Sequence, residues 1–303
     1  MDHDAAFALV TLAELPRVGE RVLQRVQQRA RRAGLAITRV LALPRPVLLD
    51  EYGLPAAAVH RLCDARVWHR AHCDAILAYL RAVGAGLATP DDSTYPAAWT
   101  MRANAPPPLT YLYGDPSLAA RPTLALLNSR VVSEQTVTAT VRIARRAAGE
   151  AFALAVGGMK TTHRIAAATA RAAGAGRIIV LDRGLFVAFH GRLEFDPFGF
   201  GPGRTRFDPR TTLVLSPFRP HDHAVARNGR RRDELIAALG DIVVAVSARR
   251  GGEVERICLR AIDHGQCVLV WQGANAGLLA AGARPLDDDD LRAGLRRYLP
   301  KQR

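Results

Sequence analysis

Lysine is nearly absent from this chain. It stands at positions 160 and 301, and arginine makes up the rest of the 42 basic residues. Cysteine is also scarce: four in 303 residues do not make a disulfide framework, so a reducing cytoplasm is the expected compartment. No apolar run approaches the ~20 residues needed to cross a bilayer, which argues against a membrane role. The opening Met1-Asp2-His3-Asp4 is acidic and lacks the basic start of a secretory leader. There is no Cys-x-x-Cys pair, no Walker loop, no Ser-His-Asp order and no paired-carboxylate spacing. No metal, cofactor or catalytic residue is therefore expected, and the chain reads as a non-enzyme.

What is present is positive charge, a formal +14 against 28 acidic residues. Such a balance favours nucleic acid, anionic lipid or phosphorylated ligands, although arginine-rich codon usage supplies the same charge without a site. At 49% hydrophobic, the chain is long enough for one sizeable core and a small second domain. His60, Cys63, His69, His72 and Cys73 tempt a metal reading. A single long helix does not easily close a tetrahedral site, and Cys63 and Cys73 read better as small core residues.

Residues 1–85 are expected to form a helical domain, with Leu12, Leu15, Val18, Val22, Leu23 and Val26 at helical spacing. Leu15-Pro16-Arg17-Val18-Gly19 resembles the tight turn of a helix-hairpin-helix, with Arg17 where a small residue is usual. Plain helix packing is favoured there over a DNA contact. Residues 86–121 read as a connector containing a short strand at Leu109–Tyr113. Residues 122–284 alternate strand and helix, with buried strands near 124–127, 152–156, 177–181, 213–215, 242–246 and 267–271. That order implies a Rossmann-like, doubly wound, mostly parallel α/β sheet. Residues 285–303 form a tail helix, Leu291 to Leu299, capped by Asp287 to Asp290. Phe186, Phe189, Phe195, Phe198, Phe200 and Phe207 punctuate a long excursion at 184–210. They are placed to stack on bases or, with slight preference, to tuck that loop onto the core.

The richest stretch runs from Arg232 to Gly252. A basic helical segment ends at Gly240-Asp241, enters the strand Ile242–Val246, and is followed by the turn Arg249-Arg250-Gly251-Gly252. In a parallel sheet, a turn leaving a strand's carboxyl end and opening a helix is an anion pocket.

These motifs, in this order, resemble the DNA-processing protein A family (DprA, also called Smf) from about residue 8 to 284. Tyr95-Pro96 and Leu112-Tyr113-Gly114-Asp115 resemble its entry into the core, and Leu126 through Arg130 its strand ending in Gly-Ser-Arg. Gly157-Gly158 is similar to its Ser-Gly turn, Ile179 through Leu185 to its next strand and turn, and Leu215-Ser216-Pro217 to its Leu-Ser-Glu. Arg232 through Asp241 resembles its Arg-Asn-Arg helix, and Asn275 through Ala283 its closing pattern. The chain departs from the family at Asn128, where the first Gly is expected. Thr162-His163-Arg164 stands for Gly-Ile-Asp, and Asp233-Glu234 for Asn and the second Arg.

The resemblance implies a protein that binds single-stranded DNA, hands it to a RecA-type recombinase and forms a homodimer. Arg130 at the first core strand and Arg232 on the neighbouring helix are the leading phosphate contacts. Ser129, Gly157, Gly158, Lys160, Arg164, Arg249, Arg250, Gly251 and Gly252 complete the expected crevice. The alternative within the same superfamily is a nucleotide sensor or a nucleoside-monophosphate phosphoribohydrolase. Its Pro-Gly-Gly-x-Gly-Thr-x-x-Glu hallmark is only partly echoed at Arg249 to Arg256.

Overall fold

In the amino-terminal quarter, apolar spacing becomes six helices: α1 (His3–Ala13), α2 (Glu20–Arg32), α3 (Ile37–Val40), α4 (Arg45–Asp50), α5 (Ala56–Cys63) and α6 (Arg66–Ala82). On α2, Leu23, Val26 and Ala30 are buried at helical spacing, while Arg21, Arg25, Arg29 and Arg32 point to solvent. The structure is a computed structural model describing residues 2–129, 133–199, 205–272 and 275–299. The His/Cys segment is two helices rather than one, broken between Cys63 and Arg66. His69 spends its Nε2 on the Thr11 carbonyl at 2.9 Å, and Cys73 is buried. Among the described residues, no group of three potential ligands is placed to hold a metal, and no helix is long and apolar enough to cross a membrane.

The segment expected to be a mere connector builds one edge of the sheet. β1 (Ala85–Ala88) pairs antiparallel with β2 (Thr110–Gly114), with α7 (Ala97–Arg102) between them. The expected alternation then follows: β3 (Thr123–Asn128), α8 (Glu134–Gly149), β4 (Ala153–Gly157), α9 (Thr161–Ala172), β5 (Arg177–Val180), α10 (Leu185–Ala188) and β6 (Thr212–Ser216). α11 (Ala226–Leu239), β7 (Ile242–Ser247), α12 (Glu253–Asp263), β8 (Cys267–Trp271), α13 (Ala276–Ala280) and β9 (Arg284–Leu286) close the core. Ser133 caps α8 as expected, its hydroxyl accepting from the Thr136 amide at 3.2 Å.

The sheet order is β1-β2-β6-β5-β4-β3-β7-β8-β9. β1, β2 and β6 pair antiparallel; every other pairing is parallel. Successive residues of β3 serve opposite faces: Leu124 and Leu126 join one core layer, Ala125 and Leu127 the other. Both faces are covered, which is why the strands read as unbroken apolar runs. From β3 the chain winds outward through β4, β5 and β6, then returns across to β7. The topological switch point therefore lies between the carboxyl ends of β3 and β7.

The described part of the Phe-rich excursion packs inward, Phe200 lying outside the described residues. Phe186, Phe189, Phe198 and Phe207 are buried, and Phe207 stacks on Tyr113 with ring centroids 4.4 Å apart. Asp196 anchors it to the buried Arg177 at 2.8 Å. Of the expected tail helix only its start forms: α14 (Asp288–Ala293), capped by Asp287 and Asp290. It stops at Gly294, whose φ of 106° lies outside the helical region, and a short 3₁₀ turn follows at Arg296–Tyr298.

Candidate nucleic-acid interface

At the switch point the ends of β3 and β7 are tied by one serine. The Ser129 amide donates to the Ser247 carbonyl at 2.8 Å and its hydroxyl to the same oxygen at 3.0 Å. The Arg249 amide in turn donates to the Ser129 hydroxyl at 3.1 Å. The ladder slips just before this knot: Leu127 pairs with Ala245 but Asn128 with Ser247. Bulges of this kind re-aim the backbone beside functional sites.

The turn from β7 into α12 is held from within. Gly251, at φ 68°, donates its amide to the Glu255 carboxylate at 2.5 Å. That carboxylate also accepts from the Asn275 amide at 2.7 Å, and Asn275 reaches the Ala248 carbonyl at 3.2 Å. The Asn275 and Gly251 hydrogen bonds hold the Glu255 carboxyl below its usual range. Arg249 and Arg250 are thereby presented to solvent on a fixed loop. Gly252 caps α12 without a side-chain bond, which leaves first-turn amides for a ligand; Glu253 in the same turn opposes an anion but is engaged by Arg230 and Arg256.

Beneath this edge lies a buried ionic network, and it changes the expected role of several residues. Arg232 is 3% exposed and grips Asp182 at 2.6 Å and Asp233 at 2.8 Å. Its guanidinium is an interior tie between α11 and the loop leaving β5, not a cation held over the crevice. Lys160, half-buried, bonds the other Asp233 oxygen at 2.8 Å and the Asn128 carbonyl at 3.2 Å. Burial alone would raise the Asp233 carboxyl, but Arg232 and Lys160 hold it below the usual carboxylate range. Arg164 reaches sideways to the Gly199 carbonyl at 2.6 Å and so fastens the excursion.

Gly157 and Gly158 were expected to let a phosphate approach the backbone, but side chains occupy that space. A Cβ on Gly157 would lie 2.3 Å from the His163 ring and 2.7 Å from Arg232 Cδ; one on Gly158 would lie 2.8 Å from Phe198. Arg130 lies outside the described residues. The structure thus brings Ser129, Arg249, Arg250, Gly251 and Gly252 together at the surface, with Lys160 just below. Asp182, His163, Glu255 and Asn275 were not singled out as site residues; Asp182 and Asn275 have partners distant in sequence, and the burial of His163 shows only in the fold. Only the Asn275 position carried a signal, through the closing pattern.

The chain matches the family described as DNA recombination-mediator protein A over residues 86–289, about two thirds of its length. It belongs to that family. DNA processing protein A from Streptococcus pneumoniae has a similar fold, with TM-score 0.69 over 99% of both chains at 18% identity. DNA processing protein A from Helicobacter pylori, described for its single-stranded DNA binding mode, gives TM-score 0.55 at 17% identity. That match covers 71% of this chain and 97% of the other. No curated protein sequence matches the chain. Membership in the recombination-mediator family marks this as a DNA-processing protein, and the likeness extends through the helical unit that precedes the matched region.

Proposed function

We propose that this family member binds single-stranded DNA along the carboxyl edge of its parallel sheet, with the switch point as the anchoring phosphate site. The observation that carries this is the Ser129–Ser247–Arg249 knot, which fixes two exposed arginines and an uncapped helix start at one place. Arg249 and Arg250 supply charge and the first amides of α12 supply donors, while the Gly251 and Gly252 amides are spent on Glu255 and the Arg249 carbonyl in holding the turn. Lys160 steadies the floor, and Arg130 joins them on the strength of the family resemblance. Contacts to phosphate give affinity with little sequence readout. The single-strand binding described for the Helicobacter pylori protein supports the choice of ligand. Delivery to a RecA-type recombinase, assembly as a homodimer, work in the cytoplasm and the absence of catalysis complete the proposal, resting on family likeness.

The test is fluorescence anisotropy with labelled single- and double-stranded oligonucleotides across a salt series, comparing wild type with Arg249→Ala/Arg250→Ala. Tighter single-strand binding, with the salt slope reduced by about 1.4 in the variant, is expected for two lost phosphate contacts. Binding indifferent to both arginines would overturn the assignment.

A further inference from the structure

A large cleft lies away from the switch point. It has a volume of about 900 Å³ and opens between the α1–α2 turn of the helical unit and the loop that leaves β6. Five arginines line it against two carboxylates, Glu20 and Asp222. Arg231 spans the cleft to Glu20 and the Ala105 carbonyl, and Arg219 lies 3.6 Å from Asp222. Arg17, Arg21 and Arg227 are exposed and hold no ion pair among the described residues. The cleft therefore carries three uncompensated positive charges.

Two further observations point to an anion. Arg17 sits in the left-handed region at φ 60°, a conformation disfavoured for any residue with a Cβ, and it is solvent-exposed at the cleft rather than packed. Tyr111, on the cleft lining and 1% exposed, has a hydroxyl without a hydrogen-bond partner among the described residues. Beside them Gly19, Glu20 and Arg21 start α2, which no side chain caps.

We propose that this cleft is a second phosphate site, gripping a further stretch of the same single strand that meets the switch point; the idea rests on the single-strand reading above. The β6 loop and the β7 turn lie on the same carboxyl edge, four strand steps apart. At ~4.8 Å per step the separation is about 19 Å. A stacked strand rising ~3.4 Å per nucleotide bridges that in about six nucleotides. The helical unit then acts as the second jaw of a track whose first contact is the core. Free nucleotides carry the same phosphate chemistry, and the experiment separates the two sources.

The full chain is titrated by anisotropy with single strands of about 5 and about 20 nucleotides, and by a nucleoside monophosphate as competitor. Wild type is compared with Arg17→Gly/Arg21→Ala/Arg227→Ala. Glycine relieves the left-handed backbone at position 17, so weakened binding does not report unfolding. The expected result is roughly tenfold weaker binding of the long strand, with a salt slope lower by about 2, and little change for the short one. Equal losses at both lengths would reduce the three arginines to a general field and overturn the proposal. So would a monophosphate that loses its binding in this variant while the long strand is unaffected. If the long strand binds the variant as it binds wild type, but is weakened by Arg249→Ala/Arg250→Ala, the cleft site falls and the single-strand reading stands. Failure of wild type to bind any strand removes both.

Discussion

Arg232 and Asp182, fifty residues apart in sequence, meet at 2.6 Å inside the core, with Asp233 closing the other side of the guanidinium. Removing this cation leaves Asp233 with Lys160 alone and Asp182 with Arg183 alone, and opens a void in a buried network. Arg232→Ala is expected to lose about 3–5 kcal/mol of stability, read as a lower urea midpoint. An unchanged midpoint with weakened DNA binding would instead return Arg232 to the ligand. A binding assay built on this residue alone would confuse unfolding with lost contact.

His163 is fully buried beside this network, and neither ring nitrogen finds a hydrogen bond among the described residues. Burial, reinforced by the Arg232 cation, pushes its pKa down to about 3. The unfolded chain, with a histidine pKa near 6.5, binds a proton that the native state refuses. Stability is therefore whole above about pH 6.5 and declines as pH falls toward 3. His163→Leu is expected to flatten that acid limb. It should also gain about 1–2 kcal/mol at pH 5, measured by denaturant titration, because the buried polar nitrogens are gone. An acid limb unchanged in the variant would assign the loss to carboxylates alone.

The alternation of β3 through β8 was legible because strands buried on both faces need unbroken apolar runs. The Ser133 cap was legible because its bond is made within one turn. The extent of the sheet was not: β1 is Ala-Gly-Leu-Ala, a pattern with no strand signature, and it forms only because β2 offers an edge. That Ser129 and the Arg249–Gly252 turn meet at the switch point was legible, because topology alone brings the ends of β3 and β7 together. Arg232 misled because an arginine on a helix looks the same whether it faces solvent or carboxylates. Its partner Asp233 was read as a departure from the family pattern.

Two glycines separate packing from backbone strain. Gly157→Ala would drive a Cβ into the His163 ring and Arg232, so a loss of about 1–3 kcal/mol is expected from overpacking. Gly251→Ala meets nothing within 4 Å but must hold φ near 68°, which costs about 1 kcal/mol. Thermal unfolding should show the larger drop for position 157. A larger drop at 251 would show that the turn, rather than the interior network, limits stability.

Asn275 touches no ligand in the proposed binding mode, yet it orders the turn that does. It bonds Glu255 and the Ala248 carbonyl, and its own carbonyl oxygen caps α13 through the Leu278 amide at 2.9 Å. Asn275→Ala frees Glu255 from one side, and with it the Gly251 amide and the setting of Arg249 and Arg250. If about 1 kcal/mol of that order is lost on binding, single-strand affinity falls about fivefold. No cation has been removed, so the salt slope should stay at the wild-type value. Arg249→Ala/Arg250→Ala, by contrast, should lower affinity and slope together. A salt titration of the two variants side by side distinguishes a residue that positions the arginines from residues that meet phosphate. A reduced slope in Asn275→Ala would mean that the turn collapses and withdraws the arginines, rather than merely loosening.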